Sequence, residues 1–291
     1  MALPQVKIAP LIPPAQPRLP AATVQYDPNY INQLNNVLRL YFNQLDNYNR
    51  IFASPNGGAF LQFPNGSFHQ DGNTALTANM TNVSTAAIQV TSTSTFLSSG
   101  YLLIESELIA YTGKTATTLT GITRGVYGTT NVSHTAGVAV TEALGTASAT
   151  TSVAIPFTST DTSSGVALST TTNTQIVFSV SGYYNVQFSA QLLSFATADD
   201  NVTFWFRQNG VDVPYSAGNQ SVPSKHGSFP GAALVSWNQI FAFNTGDYLE
   251  LLYYSDSGNS VVATKPAGTA PVHPVSPSVA ISATFVSALY P

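Results

Sequence analysis

Between Pro28 and Phe52 the apolar side chains Ile31, Leu34, Leu38, Tyr41, Leu45, Tyr48 and Phe52 recur at alternating gaps of three and four residues, without a slip. A repeat of this kind draws one narrow seam along a helix, and such a seam is buried by packing against copies of itself. Asp27 stands where a side-chain oxygen can cap the first free N–H groups, and Pro28 suits the first helical turn. The surrounding Asn and Gln lower helix propensity and three heptads are marginal alone, so the pattern predicts a bundle held in register by something larger downstream. The alternative is one amphipathic helix packed on its own domain, which ordinarily buries a broader apolar face.

The rest of the chain sets the fold class. Only 8% of its 291 residues are charged and 44% are hydrophobic. The polar remainder is mostly Ser, Thr, Asn and Gln, with Gly and Pro frequent, which is the balance of a mainly β protein with many turns. Nine basic and thirteen acidic residues are scattered singly, for a net charge of −4, so no basic stripe exists for a nucleic-acid backbone to bind. Cysteine is absent, which excludes disulfides, thiolate nucleophiles and Cys metal sites, and stability is expected to come from burial between subunits. The opening segment, broken by Pro4, Pro10, Pro13 and Pro14, reads as neither a signal peptide nor a membrane span.

Five segments are expected in order. Residues 1–27 read as an extended proline-rich anchoring arm whose Val6, Ile8 and Leu11 fill pockets on another protein, or else as a disordered tail. Residues 28–52 are the coiled-coil helix, and 53–80 a linker or loosely paired hairpin around Phe60, Leu61 and Phe63. Residues 81–145 form a small β-module, with short β-rich runs at 87–90, 100–104, 108–113, 117–122 and 138–141. Residues 146–291 form a head. Within the module, Glu105 and Glu107 share one side of an extended run. Paired carboxylates can serve acid–base chemistry if a cleft holds them. The plainer reading pairs Arg124 with one of them and leaves His134 in a turn.

In the head, the stretch after Ser181-Gly182 alternates cleanly, with Tyr184, Val186, Phe188, Ala190 and Leu192 on one face and Asn185, Gln187, Ser189 and Gln191 on the other. Two other strands are apolar on both faces. Leu249, Leu251 and Tyr253 oppose Tyr248, Leu252 and Tyr254, and Phe204 and Phe206 oppose Trp205 and Arg207. A sandwich strand buries only one face against its own core, so the second face must meet another subunit or a covering loop, and Trp205, Tyr248, Leu252 and Tyr254 are the expected interface between subunits. Strands and turns in this order suggest a double-sheet jelly roll. The loop 215–230 carries Tyr215, Lys225, His226 and Phe229 among small polar groups, the equipment for an uncharged sugar; it also reads as a surface loop with no ligand.

Other chemistry has little footing. His69, His134, His226 and His273 are isolated in sequence, Asp199 and Asp200 are too few for calcium, and neither a nucleophile elbow nor a phosphate-binding glycine loop is present. No cofactor or metal is expected.

Two resemblances add to this reading. The run 100–140, with Leu-Ile-Ala-Tyr-Thr-Gly, Thr-Leu-Thr-Gly-Ile-Thr-Arg-Gly and Ser-His-Thr-Ala-Gly, resembles small β-modules in structural proteins of tailed bacteriophages. The order Val-Ser-Gly-Tyr-Tyr at 180–184, Phe-Arg-Gln-Asn-Gly at 206–210, Asn-Thr-Gly-Asp-Tyr-Leu-Glu-Leu at 244–251 and a closing strand at 279–286 is similar to the superfamily of tumour necrosis factor and the complement globular heads. Together they imply a homotrimeric jelly-roll protein of a phage virion, a fibre, spike or capsid decoration. Its arm would bind capsid or tail proteins, and it would catalyse nothing. An alternative is a receptor-binding tip that recognises host surface glycan. A capsule-cutting enzyme would need Glu105 and Glu107 in one cleft.

Overall fold

A computed structural model describes residues 12–22, 24–53, 63–146 and 150–289. The anchor residues Val6, Ile8 and Leu11 lie outside the described residues, as do Phe60 and Leu61. Residues 12–22 adopt neither helix nor strand. The chain divides into two compact units at Phe63 and Pro64.

The first unit contains the helix α1 (Pro28–Ala53). Asp27 caps it as expected: its Oδ1 accepts from the Asn29 N–H at 2.9 Å, and its carbonyl accepts from the Ile31 N–H at 3.2 Å. No side chain of α1 is buried.

The second unit, 64–291, is mainly β. It opens with β1 (Asn65–Gln70) and β2 (Asn73–Ala75), followed by β3 (Ile88–Gln89), β4 (Gly100–Ile104), β5 (Glu107–Tyr111), β6 (Gly113–Lys114), β7 (Thr118–Thr120) and β8 (Ala139–Gly145). Next come β9 (Val153–Ala154), β10 (Ser159–Ser164), β11 (Val166–Leu168), β12 (Ile176–Phe178), β13 (Gly182–Ser194), β14 (Asp200–Gln208), β15 (Val211–Asp212) and β16 (Gly218–Val222). The last are β17 (Gly231–Phe243), β18 (Tyr248–Ser255), β19 (Ser260–Ala263), the small pair β20 (Gly268–Thr269) and β21 (Val272–His273), and β22 (Val279–Ser287).

Two sheets build the sandwich. The first runs β10-β1-β22-β13, with β17 on the other edge of β13; the second runs β11-β12-β18-β14, with β15 and β16 on the far edge of β14. Strand β13 alternates as the sequence predicts, sending Tyr184, Val186, Phe188, Ala190 and Leu192 inward. They meet Phe204 and Phe206 of β14 and Leu249, Leu251 and Tyr253 of β18 in one continuous core. Phe178 and Phe243 stack there with ring centroids 3.7 Å apart, and Phe188 meets the Trp237 edge at 4.5 Å.

The expected linker and the expected module boundary look different in three dimensions. Residues 65–70 form β1, inserted between β10 and β22, with Phe68 fully buried in the head core. The signal there was short and crowded by turn residues, and its pairing partners lie far along the chain. Strand β8 belongs at once to the module, through β4, and to the head, through β19, where Val262 stands opposite Leu144. Leu108, Ala143, Leu193, Phe195, Val261 and Ala263 close a cluster across residue 146. The module keeps its own core as well, built on Ile88, Leu102, Ile104, Ile109, Leu119 and Val140.

Candidate functional site

The heptad seam is intact and outward-facing. Leu34, Leu38, Tyr41, Leu45, Tyr48 and Phe52 are half-buried, and Ile31 is 37% exposed. Val37 and Ile51 flank the seam on one side and Phe42 on the other, so the apolar stripe is wider than the seven residues suggest. Positions of this kind usually carry charges in two-stranded coils, and here they do not.

The expected head interface lies on the outward face of the second sheet. Trp205, Tyr248 and Tyr254 are half-buried there, with Trp205 and Tyr254 rings 6.1 Å apart, but Leu252 is only 2% exposed. Trp205 on β14 and Ala154 on β9 flank Leu252 on both sides, so a single chain already covers it. The two-residue strand β9 leaves no periodic signal, which is why sequence reasoning left Leu252 open. The face also carries charge. Asp212 Oδ1 accepts from Arg207 Nε at 2.8 Å and from Trp205 Nε1 at 3.0 Å, and these bonds hold its carboxyl below the usual range.

The outward face of the first sheet is of another kind. The strands β13, β17 and β22 contain no Asp, Glu, Lys, Arg or His at all. Gln187, Ser189, Ser282, Asn238 and Ser236 point outward between Leu234 and Ile240, which are 59% and 60% exposed. Asn238 Nδ2 donates to Asn185 Oδ1 at 2.9 Å across two strands. Such a face loses little on dehydration, because no charge must leave water. The uninterrupted neutrality of three long strands was a signal available in the sequence.

The expected ligand loop is split. Strand β16 occupies its middle, pairing Gly218 with Phe204 and Val222 with Asp200. Tyr215 therefore lies beyond one end of β16, at a left-handed φ of 61° and fully exposed, while Lys225, His226 and Phe229 lie beyond the other. Five strand residues separate the ends by about 17 Å. His226 and Phe229 exchange backbone hydrogen bonds of 2.9 and 3.2 Å around Gly227, whose φ of 65° closes the turn.

The module's ionisable residues form a buried knot. Arg124 donates from Nε and Nη2 to the two Glu107 oxygens at 2.5 and 2.6 Å, and from its guanidinium to the carbonyls of Thr81, Ser84 and Val132. His134, expected in a turn, is instead buried, its Nε2 2.9 Å from Glu107 Oε2 and its Nδ1 2.8 Å from Glu105 Oε2. Burial alone would push Glu107 up, but Arg124, the Val132 N–H and His134 outweigh it and hold the carboxyl below its ordinary value. With both oxygens of Glu107 committed, the Glu105–Glu107 pair does not present two free carboxylates to a substrate. The knot fastens the loops near 81–84 and 129–134 to the β4–β5 hairpin.

A second buried carboxylate, Glu142 on β8, joins module to head. It accepts from Tyr111 Oη, Gln70 Nε2 and the Leu97 N–H, and Gln70 in turn accepts from Ser278. Burial pushes its carboxyl up to about 7 against those bonds and the nearby Lys114 charge. Gly72 lies so close that an added Cβ would stand 2.5 Å from that of Glu142. Among the described residues no group of three His, Asp or Glu is placed to hold a metal ion, and no helix is long and apolar enough to cross a membrane. Asp200 accepts from Ser255 Oγ, Ser260 Oγ and the Ser257 N–H, which ties β14 to the β18–β19 turn.

No family model matches the sequence, and no curated protein matches it. Among solved structures, this chain is similar to the Eiger TNF from S. frugiperda, with 11% identity and a TM-score of 0.29 over 43% of this chain and 71% of that one.

Proposed function

We propose that this chain is a non-enzymatic structural protein of a tailed-phage virion, a homotrimeric fibre or spike anchored by its N-terminal arm and displaying the sandwich as its head. The observation that carries the assembly is α1: a capped helix of 26 residues with an unbroken apolar seam and not one buried side chain. Left alone in water, such a helix gains nothing from its seam, and copies of itself are the partner the seven-residue repeat fits. The virion setting rests on the resemblance carried by residues 100–140.

In the head, the contact between copies is assigned to the uncharged outward face of β13, β17 and β22. The Trp205 face, with its Arg207–Asp212 pair and covered Leu252, suits an exposed surface better. Three arms on one particle would then act together, because linking weak contacts raises their effective concentration. With Glu107 tied to Arg124 and His134, the module acts as a clasp and not as a catalytic centre.

The test is the solution mass of three proteins: the full chain, the full chain with Leu38→Asp, and a version starting at Pro64. A trimer for the full chain, and a shift toward monomer for Leu38→Asp with an unchanged melting temperature of the β unit, support the reading. A monomeric full chain ends it. A trimer that survives both changes would move the clamp from the helix to the uncharged head face, and Ile240→Asp should then break it.

A further inference from the structure

Within the 64–291 unit, a cleft of about 230 Å³ opens where the module meets the head. One wall comes from the module: Ser106 in the β4–β5 turn, with Thr129 and Thr130 in the loop before β8. The other comes from the head: Phe195 just after β13, with Lys225 and Ser228 after β16. These residues are widely separated in sequence, and the β8–β19 pairing with the apolar cluster around Leu108 and Phe195 brings them together.

The polar groups here are unspent. Lys225 is half-buried as a residue and its ammonium makes no hydrogen bond or ion pair among the described residues, while its backbone N–H is fixed to the Ala196 carbonyl at 2.9 Å. The hydroxyls of Ser106, Thr130 and Ser228 likewise make no hydrogen bond there. Glu105 and Glu107, on either side of Ser106, face His134 and Arg124, and Asp199 Oδ1 accepts from the Ser224 N–H at 2.9 Å; none of the three makes an ion pair with Lys225. Thr129 is held rigid instead, its Oγ1 donating to Val126 O at 2.9 Å and accepting from the Leu108 N–H at 3.1 Å.

We propose that this cleft binds one anionic sugar unit, a uronic or sialic acid residue of a glycan, with its carboxylate on Lys225 and its hydroxyls on Ser106, Thr130 and Ser228. Ser and Thr hydroxyls both donate and accept, which matches sugar hydroxyls, and Phe195 supplies an apolar floor for the ring. The volume is below the roughly 300–1,000 Å³ of sites for drug-sized ligands and suits a single ring. A neutral sugar would leave the ammonium unmatched. A bare phosphate would leave the hydroxyls and the apolar floor unused. The site therefore differs from the uncharged-sugar loop expected from sequence, and it does not include Tyr215.

The experiment is a titration of the full-length chain, followed by saturation-transfer NMR and calorimetry. The ligands are glucuronic acid and N-acetylneuraminic acid, with glucose and inorganic phosphate for comparison. Saturable binding of one of the acids, at least about tenfold tighter than glucose, is expected, and Lys225→Ala should weaken it about tenfold or more. Ser106→Ala and Thr130→Ala should each weaken it by about threefold. All three positions are at least partly exposed, so unchanged melting temperatures verify that the variants fold. No saturable binding of either acid overturns the proposal. So does glucose binding as tightly as the acids, phosphate competing as strongly as the sugar acids, or a loss on Tyr215→Ala in place of Lys225→Ala. The cleft lies within one chain, so its failure is read apart from any failure to trimerise.

Discussion

Strand β13 and helix α1 solve the same problem in opposite ways. Both were legible as amphipathic elements, one with a period of two and the other with a period near three and a half. Strand β13 buries most of its 13 residues inside its own chain, against β14 and β18. Helix α1, with twice as many residues, buries none. The difference teaches that periodicity shows which face is apolar and does not show whose surface will cover it. For β13 the cover is intramolecular. For α1 the described residues supply none.

The β unit also carries its polar interior with it, and this is where the comparison is easiest to break. Glu107→Gln should destabilise the unit by about 3–5 kcal/mol, because it leaves Arg124, 3% exposed at the side chain, buried without its counter-charge. Urea unfolding of the 64–291 unit measures this. A cost below about 1 kcal/mol would mean that the clasp is not part of what lets the unit stand alone.

The next effect is a pH dependence located at Glu142. Its folded carboxyl titrates near 7, above the ordinary 4.5, so the folded state holds a proton that the unfolded chain releases. The contribution is fully present below about pH 4.5 and is lost as pH rises through 7, by roughly 3 kcal/mol in all. Glu107 has the opposite sign: its lowered carboxyl contributes above the unfolded value, and that contribution is lost on acidification. Melting curves of wild type and Glu142→Gln between pH 4.5 and 8 should converge in slope if another group causes the loss. They should differ if Glu142 does.

The smallest effect belongs to the helix. Arg50 Nε donates to Asp46 Oδ2 at 2.7 Å, with both side chains largely exposed. Asp46→Ala should cost only about 0.3–0.5 kcal/mol and lose its effect in high salt. Helix content measured by circular dichroism as a function of protein concentration is the check. A large loss would show α1 to be held by its own surface pairs, and the contrast with β13 would narrow.

Several features are written locally in the chain. Asp27 and Pro28 marked the start of α1, and the alternation from Tyr184 to Leu192 fixed which face of β13 is inward. Arg124 with a nearby Glu was visible as an ion pair, although not which Glu, nor that His134 would be drawn in beside it. These are local statements, carried by spacing and by the chemistry of a few adjacent residues. Periodicity and capping have ranges of a few residues, so sequence reports them faithfully.

What the fold alone decided is everything that depends on a distant partner. Residues 65–70 became an interior strand because β10 and β22 pair with it on its two sides. Strand β8 fused module and head because β19 was there to pair with it. Leu252 was covered by Ala154 and Trp205, and Tyr215 was set apart from Lys225 by a strand too short to announce itself. The cleft around Lys225 has no signature at all, since its walls are joined only through long-range pairing. Local spacing was enough to locate the helix and to divide single strands into faces. Only the tertiary structure determined which faces stay open, because covering a surface depends on residues that the spacing never reaches.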